Sequence, residues 1–84
     1  MLGQIRLRKE IATRLEQARK NKNYNSPEEF SARNNLSIKK YSAHENGSVP
    51  LKVSEAMQYC KLLEISLNWL ILGEINMQIG RAHV

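Results

Sequence analysis

Ser26-Pro27-Glu28-Glu29-Phe30, then Asn34-Asn35-Leu36-Ser37, then Ile38-Lys39-Lys40-Tyr41 running to Glu45-Asn46-Gly47, is the stretch on which the fold turns. Ser26 is a strong helix N-cap, and Pro27 sits at the first helical position, where its missing N–H costs nothing. Glu29 lies three residues after Ser26 and completes a capping box, while Glu28 adds negative charge at the positive helix end. A short helix therefore runs from Pro27 to Asn34, with Phe30 as its apolar anchor. Asn35 is the best non-glycine residue for a left-handed turn. Leu36 then points inward, and Ser37 caps a third helix that Gly47 ends as a left-handed C-cap. The reading is two short helices at a fixed angle, the second opening with adjacent lysines. Those cations oppose the helix dipole unless an anion arrives. A pair of this kind can place its second helix in a DNA major groove.

On the N-terminal side, residues 4–22 contain no Gly or Pro, and Ile11, Leu15 and Ala18 recur at i, i+4, i+7, with Leu7 one turn earlier. That is one apolar stripe on an amphipathic helix, with Arg8, Lys9, Arg14 and Lys20 mostly off it. Asn21 to Asn25 ends it, and Tyr24 plugs the core from that loop. On the C-terminal side, Val49 is a loop plug and Pro50 opens a fourth helix at its first position. Its core-facing stripe is Val53, Ala56, Cys60 and Leu63. Ser66 caps a last helix, Leu67 to Leu72, which Gly73 ends, with Trp69 and Leu70 in the core. The expectation is a compact all-α domain of five helices spanning residues 4–74. Residues 75–84 read as a tail or the start of a linker. Ile79-Gly80-Arg81-Ala82-His83-Val84 matches the translation of a sequencing-library adapter, so the natural chain is expected to continue beyond Gln78.

The 84 residues carry a formal charge of +5. Residues 1–40 hold ten Lys or Arg against four Glu, a net +6 (10 − 4), while residues 41–84 hold three against four, a net −1 (3 − 4). Positive charge on the first three helices suits a polyanion partner, although a basic solvated surface is equally common in small domains. Cys60 stands alone, so no disulfide framework or cysteine metal site is expected, and it belongs to the core stripe. With no signal peptide and no apolar run of about 18 residues, a cytoplasmic protein free of membrane contact is expected. Enzyme chemistry lacks its materials. There is no Asp, His44 and His83 are the only histidines, and no phosphate loop, metal motif or nucleophile elbow occurs. No cofactor and no metal is expected. His44 reads as a half-buried helix residue or a phosphate contact.

Several pieces in order resemble the lambda-repressor-like, Cro/XRE-type helix-turn-helix family, over roughly Leu7 to Glu74. They are Arg14-Leu15 with Ala18-Arg19, Pro27-Glu28-Glu29-Phe30-Ser31, Leu36-Ser37 to Tyr41-Ser42, Glu45-Asn46-Gly47 with Pro50, and Ile65-Ser66-Leu67 with Trp69-Leu70 and Gly73-Glu74. Tyr41, His44 to Gly47, Pro50 and Tyr59 are similar to a phage-repressor-like bacterial subgroup. The resemblance implies sequence-specific binding of a double-stranded DNA operator by helix three. It implies a bacterial or phage transcriptional regulator, a repressor for preference, acting as a homodimer. Carried over by position, it makes Ser37 a phosphate contact, turns Ile38 and Lys39 to base edges, and gives Lys40 a base or a phosphate. Ala43 would lie on the groove face and Asn46 would bind backbone phosphate. Glu45 would form a buried clasp with Arg19. Pro27 replaces the family's usual Gln, which passes its phosphate contact to Ser26 or to the N–H of Glu28. The loop before Ser26 is one residue longer, and Glu64 stands where the family prefers Gly, implying a left-handed residue with roughly 1 kcal/mol of strain.

Two other readings compete. A protein-interaction or antitoxin-like module would need an exposed apolar patch, for which Ile38, Leu62, Ile71 and Leu72 are the candidates. Single-stranded RNA binding would need exposed stacking aromatics, whereas Tyr24, Tyr41 and Trp69 read as core.

Overall fold

In a computed structural model the backbone is described for residues 2–73 and side chains for residues 9–73. The expected tail at 75–84, and Leu7 on the first apolar stripe, lie outside the described side chains. Among the described residues the chain is all-helical: α1 Leu2–Asn21, α2 Pro27–Arg33, α3 Ile38–Glu45, α4 Val53–Leu63 and α5 Leu67–Leu72. No helix among them is long and apolar enough to cross a membrane.

Each helix stops the same way, with a residue at positive φ directly after it or within two residues of its end: Asn23 (69°), Asn35 (57°), Gly47 (83°), Glu64 (58°) and Gly73 (73°). The left-handed residue turns the chain so that later N–H groups can return to the orphaned carbonyls of the last turn. After α1, Tyr24 N–H donates to the Arg19 carbonyl (3.2 Å). After α2, Leu36 N–H donates to Ser31 (2.8 Å). After α3, Ser48 N–H donates to Ala43 (3.0 Å). After α4, Ile65 N–H reaches Cys60 (3.0 Å), which draws Ile65 into the core. Asn and Glu tolerate this conformation less well than Gly, so the closing bonds offset their strain.

The starts are equally local. Ser26, Ser37 and Ser66 accept from the backbone N–H three residues on, at 3.0, 3.2 and 3.2 Å. The α2 capping box is displaced by one residue: the Glu29 carboxylate accepts from Asn25 N–H (2.8 Å), not from Ser26. Pro50 does not open α4. Its N-cap is Lys52, in extended backbone, whose N–H donates to the Glu55 carboxylate (2.9 Å). The linker stays extended through Pro50, Leu51 packs against the core, and the helix forms only once Glu55 can serve its first turn.

The core draws Leu15 and Ala18 from α1, Phe30 from α2, Tyr41 from α3, Ala56, Tyr59, Cys60 and Leu63 from α4, and Leu70 from α5. Ile11, Tyr24, Leu36 and Trp69 pack against it while only half buried. Two expectations fail here. Val53 is 71% exposed, not core-facing, because α4 meets the core one turn later, at Ala56. Val49 is also exposed instead of plugging the loop. Arg14 joins α1 to the end of α5. Its Nε donates to the Leu70 carbonyl (2.8 Å) and its Nη2 to Ile71 (3.1 Å), capping the negative helix end. Gly73 lies against that guanidinium; a Cβ there would sit 3.1 Å from Nη1.

Candidate nucleic-acid interface

The α3 helix is held from three sides. Tyr41 and His44 are buried, and the Glu45 carboxylate is nearly sealed. Arg19 grips that carboxylate with two bonds, Nε to Oε2 (2.8 Å) and Nη2 to Oε1 (3.0 Å). Its Nη1 donates to the Tyr24 carbonyl (2.8 Å), and the Tyr41 hydroxyl donates to Glu45 Oε2 (2.7 Å). A planar guanidinium suits this forked geometry. Burial, then the bond to Glu45, pushes the Tyr41 phenol well above its ordinary range; the bond to Glu45, opposed by burial, raises the Arg19 guanidinium. Both groups therefore keep the protonated forms the network needs.

His44 is buried, not half-buried and not a phosphate contact. Its Nδ1 lies 2.9 Å from the Tyr59 hydroxyl and its Nε2 3.4 Å from Glu55 Oε1. A Tyr59 hydroxyl donating to Nδ1, with Nε2–H facing Glu55, satisfies all three groups. Burial pushes the Tyr59 phenol up to about 12, so it remains a donor. Burial also holds the His44 imidazole below its ordinary 6.5, helped by Lys40 and opposed by Glu55. The Glu55 carboxyl is lowered chiefly by the Lys52 N–H bond, with Lys40 also contributing.

Those two shifts give a pH dependence of one sign. Below an ordinary imidazole pKa the unfolded chain takes up a proton at His44 that the folded chain resists. Stability is therefore whole above about 6.5 and falls as pH drops; Glu55 adds to the loss once pH falls through its depressed value. Urea unfolding from about pH 7.5 to about 5.5 should show a falling midpoint. A midpoint that holds or rises would contradict the buried neutral imidazole.

With Tyr41, His44 and Glu45 turned inward, the opposite side of α3 presents Lys39, with Ala43 half-buried one turn on and Ile38 exposed at the helix start. Lys39 is exposed and makes no ion pair among the described residues. Lys40 is different: it lies on the α4 side, its Nζ 3.3 Å from Glu55 Oε2. Ser37 and Ser26 spend an oxygen lone pair on their caps but keep a hydroxyl hydrogen to donate. Glu28 is exposed on the first turn of α2. The Asn46 side-chain oxygen accepts from the Ser48 N–H (2.8 Å) and from its hydroxyl, so its amide NH2 is the group left to meet an anion.

The charge count over the first forty residues overstates the free positive face. Arg14 and Arg19 are spent internally, and Lys20, Lys22 and Arg33 pair with Glu16, Glu64 and Glu29. Of the apolar candidates, Ile38 and Leu72 are exposed, while Leu62 and Ile71 pack against the core. Val53 and Met57, one turn apart on α4, are exposed apolar residues that periodicity assigned to the core or passed over.

A family model described as a helix-turn-helix domain matches residues 12–74. No curated protein and no solved structure matches the chain significantly.

Proposed function

The chain belongs to the helix-turn-helix domain family, and on that premise we propose that it binds double-stranded DNA sequence-specifically, with α3 in the major groove. It acts as a transcriptional regulator, a repressor of the phage-repressor-like kind. The observation that carries this reading is the division of α3. Its inner side is locked by Glu45, Tyr41 and His44, and its outer side carries the unpaired Lys39 beside the small Ala43. Lys39 can reach a guanine edge, and Ala43 fits a thymine methyl. Ser37, Asn46, Ser26 and the Glu28 N–H serve the phosphates that set register. Two copies would read half-sites about 34 Å apart, with the exposed Val53, Met57 and Leu72 available to a dimer contact.

The test is affinity against salt. About three phosphates neutralised by each domain of a dimer give a log–log slope of about −5. A flat slope removes the reading. Lys39→Ala should cost ~1–3 kcal/mol on the preferred site and relax the choice of base at one position. Equal loss on every sequence would make Lys39 a phosphate contact. The competing reading, a protein-interaction module, rests on the same exposed apolar residues; it gains if salt has no effect on DNA association.

A further inference from the structure

Glu55 is the one acidic side chain that reaches the recognition helix from α4. It is fixed at three points. Oε1 accepts the Lys52 N–H (2.9 Å) and faces His44 Nε2 (3.4 Å), and Oε2 meets Lys40 Nζ (3.3 Å). The two partners of the ion pair differ in freedom. The Glu55 side chain is 14% exposed, whereas that of Lys40 is 61% exposed. The carboxylate is thus built into the start of α4, and the ammonium rests on it from the end of an exposed, flexible four-carbon stem. Rotation about that stem would carry Lys40 off Glu55, whereas the Lys52 N–H bond ties the carboxylate to the helix start.

We propose that Glu55 is an intramolecular competitor of DNA phosphate: it holds Lys40 on the α4 side of the recognition helix in the free protein and surrenders it when DNA binds. The assignment rests on the DNA-binding reading above. It makes Lys40 a backbone contact and leaves base reading on this helix to Lys39 and Ala43. The exchange has a physical logic. A lone ammonium at a helix N-terminus is repelled by the helix dipole, so an internal anion stabilises it until an external one replaces it. The replacement is favourable because a phosphate sheds its condensed counterions, which Glu55 does not have. The protein keeps the difference as a modest reduction in affinity for every sequence, which leaves the ratio of specific to non-specific binding unchanged.

The experiment is a double-mutant cycle on the whole chain, with Glu55→Gln and Lys40→Ala, measured on one DNA duplex by anisotropy. Gln retains an oxygen for the Lys52 N–H. Glu55→Gln is expected to tighten binding about two- to fivefold, the range of an exposed ion pair, and the gain should shrink as salt screens that pair. In the Lys40→Ala background the gain should vanish. An equal gain in that background would mean only a general field effect and would overturn the proposal, as would unchanged or weaker binding by Glu55→Gln alone. An NMR titration of His44 without DNA supplies the separate readout: the imidazole pKa should fall in Glu55→Gln, since Glu55 raises it. Wild-type protein that binds DNA with a steep salt slope, combined with a neutral Glu55→Gln, removes the Glu55 assignment alone. Wild-type protein with no salt-dependent DNA binding removes both readings.

Discussion

Replacing Arg19 with Met is expected to cost the domain about 3–5 kcal/mol, the usual penalty when one member of a buried ion pair is removed. The size follows from what remains. Glu45 keeps only the Tyr41 hydroxyl, with its carboxylate nearly sealed from water, and the Tyr24 carbonyl loses its donor. Against a total of roughly 5–15 kcal/mol, such a loss leaves the fold marginal. Urea unfolding gives the number, and a cycle with Glu45→Leu gives the cause. If the buried charge is what costs, Arg19→Met should be far milder once Glu45 is gone. Additive losses would show instead that Arg19 works mainly through the Tyr24 carbonyl and its own packing. The pair also ties α1 to the recognition helix, so a folded remnant of Arg19→Met should hold α3 less rigidly.

Local chemistry was the part of this structure that residues announced. Ser26, Ser37 and Ser66 cap because a side-chain oxygen can reach an N–H three residues away, whatever lies beyond. Asn35, Gly47 and Gly73 end helices because few residue types sit at positive φ and Gly and Asn do so most readily, whereas the left-handed Glu64 was legible only through the family's preference for Gly there. Asn23 belongs to the same set, but four asparagine or lysine neighbours gave it no distinction in the sequence. What stayed hidden from the residues alone was polar burial; the Arg19–Glu45 clasp was expected only through the family resemblance. Nothing near His44 in sequence says that Tyr59, fifteen residues on, will meet its Nδ1. Nothing near Arg14 says that carbonyls fifty-six and fifty-seven residues away will take its guanidinium. The candidate interface divides the same way. Lys39 and Lys40 read alike in sequence; only the placement of α4 brings Glu55 to one and not the other. Pro50 misled because proline at a helix start is a preference of the backbone alone, and here Leu51 and Glu55 set the start two residues past it and one more.

Phe30→Ala is expected to cost about 3–5 kcal/mol, as for other fully buried phenylalanines. Phe30 has no solvent exposure and sits between the two helices of the motif. Its ring lies 5.0 Å from Tyr24 and 4.8 Å from Tyr41, and Tyr41 in turn lies 5.1 Å from Tyr59. One aromatic file thus runs from the α1–α2 loop through α2 and α3 to α4, with Phe30 as the member that α2 contributes. The tilted and edge-on contacts add to simple burial. Removing the ring leaves a cavity that α2 cannot collapse into, because Ser26 and the Asn34–Leu36 turn fix its two ends. Phe30→Leu keeps much of the apolar volume and should cost markedly less, though it breaks the aromatic contacts. Paired urea curves for the two variants separate volume from ring geometry. Equal losses would place the value of Phe30 in its aromatic contacts. A loss under about 1 kcal/mol in Phe30→Ala would mean that α2 can repack, and that its angle to α3 is fixed by the turn and not by the core.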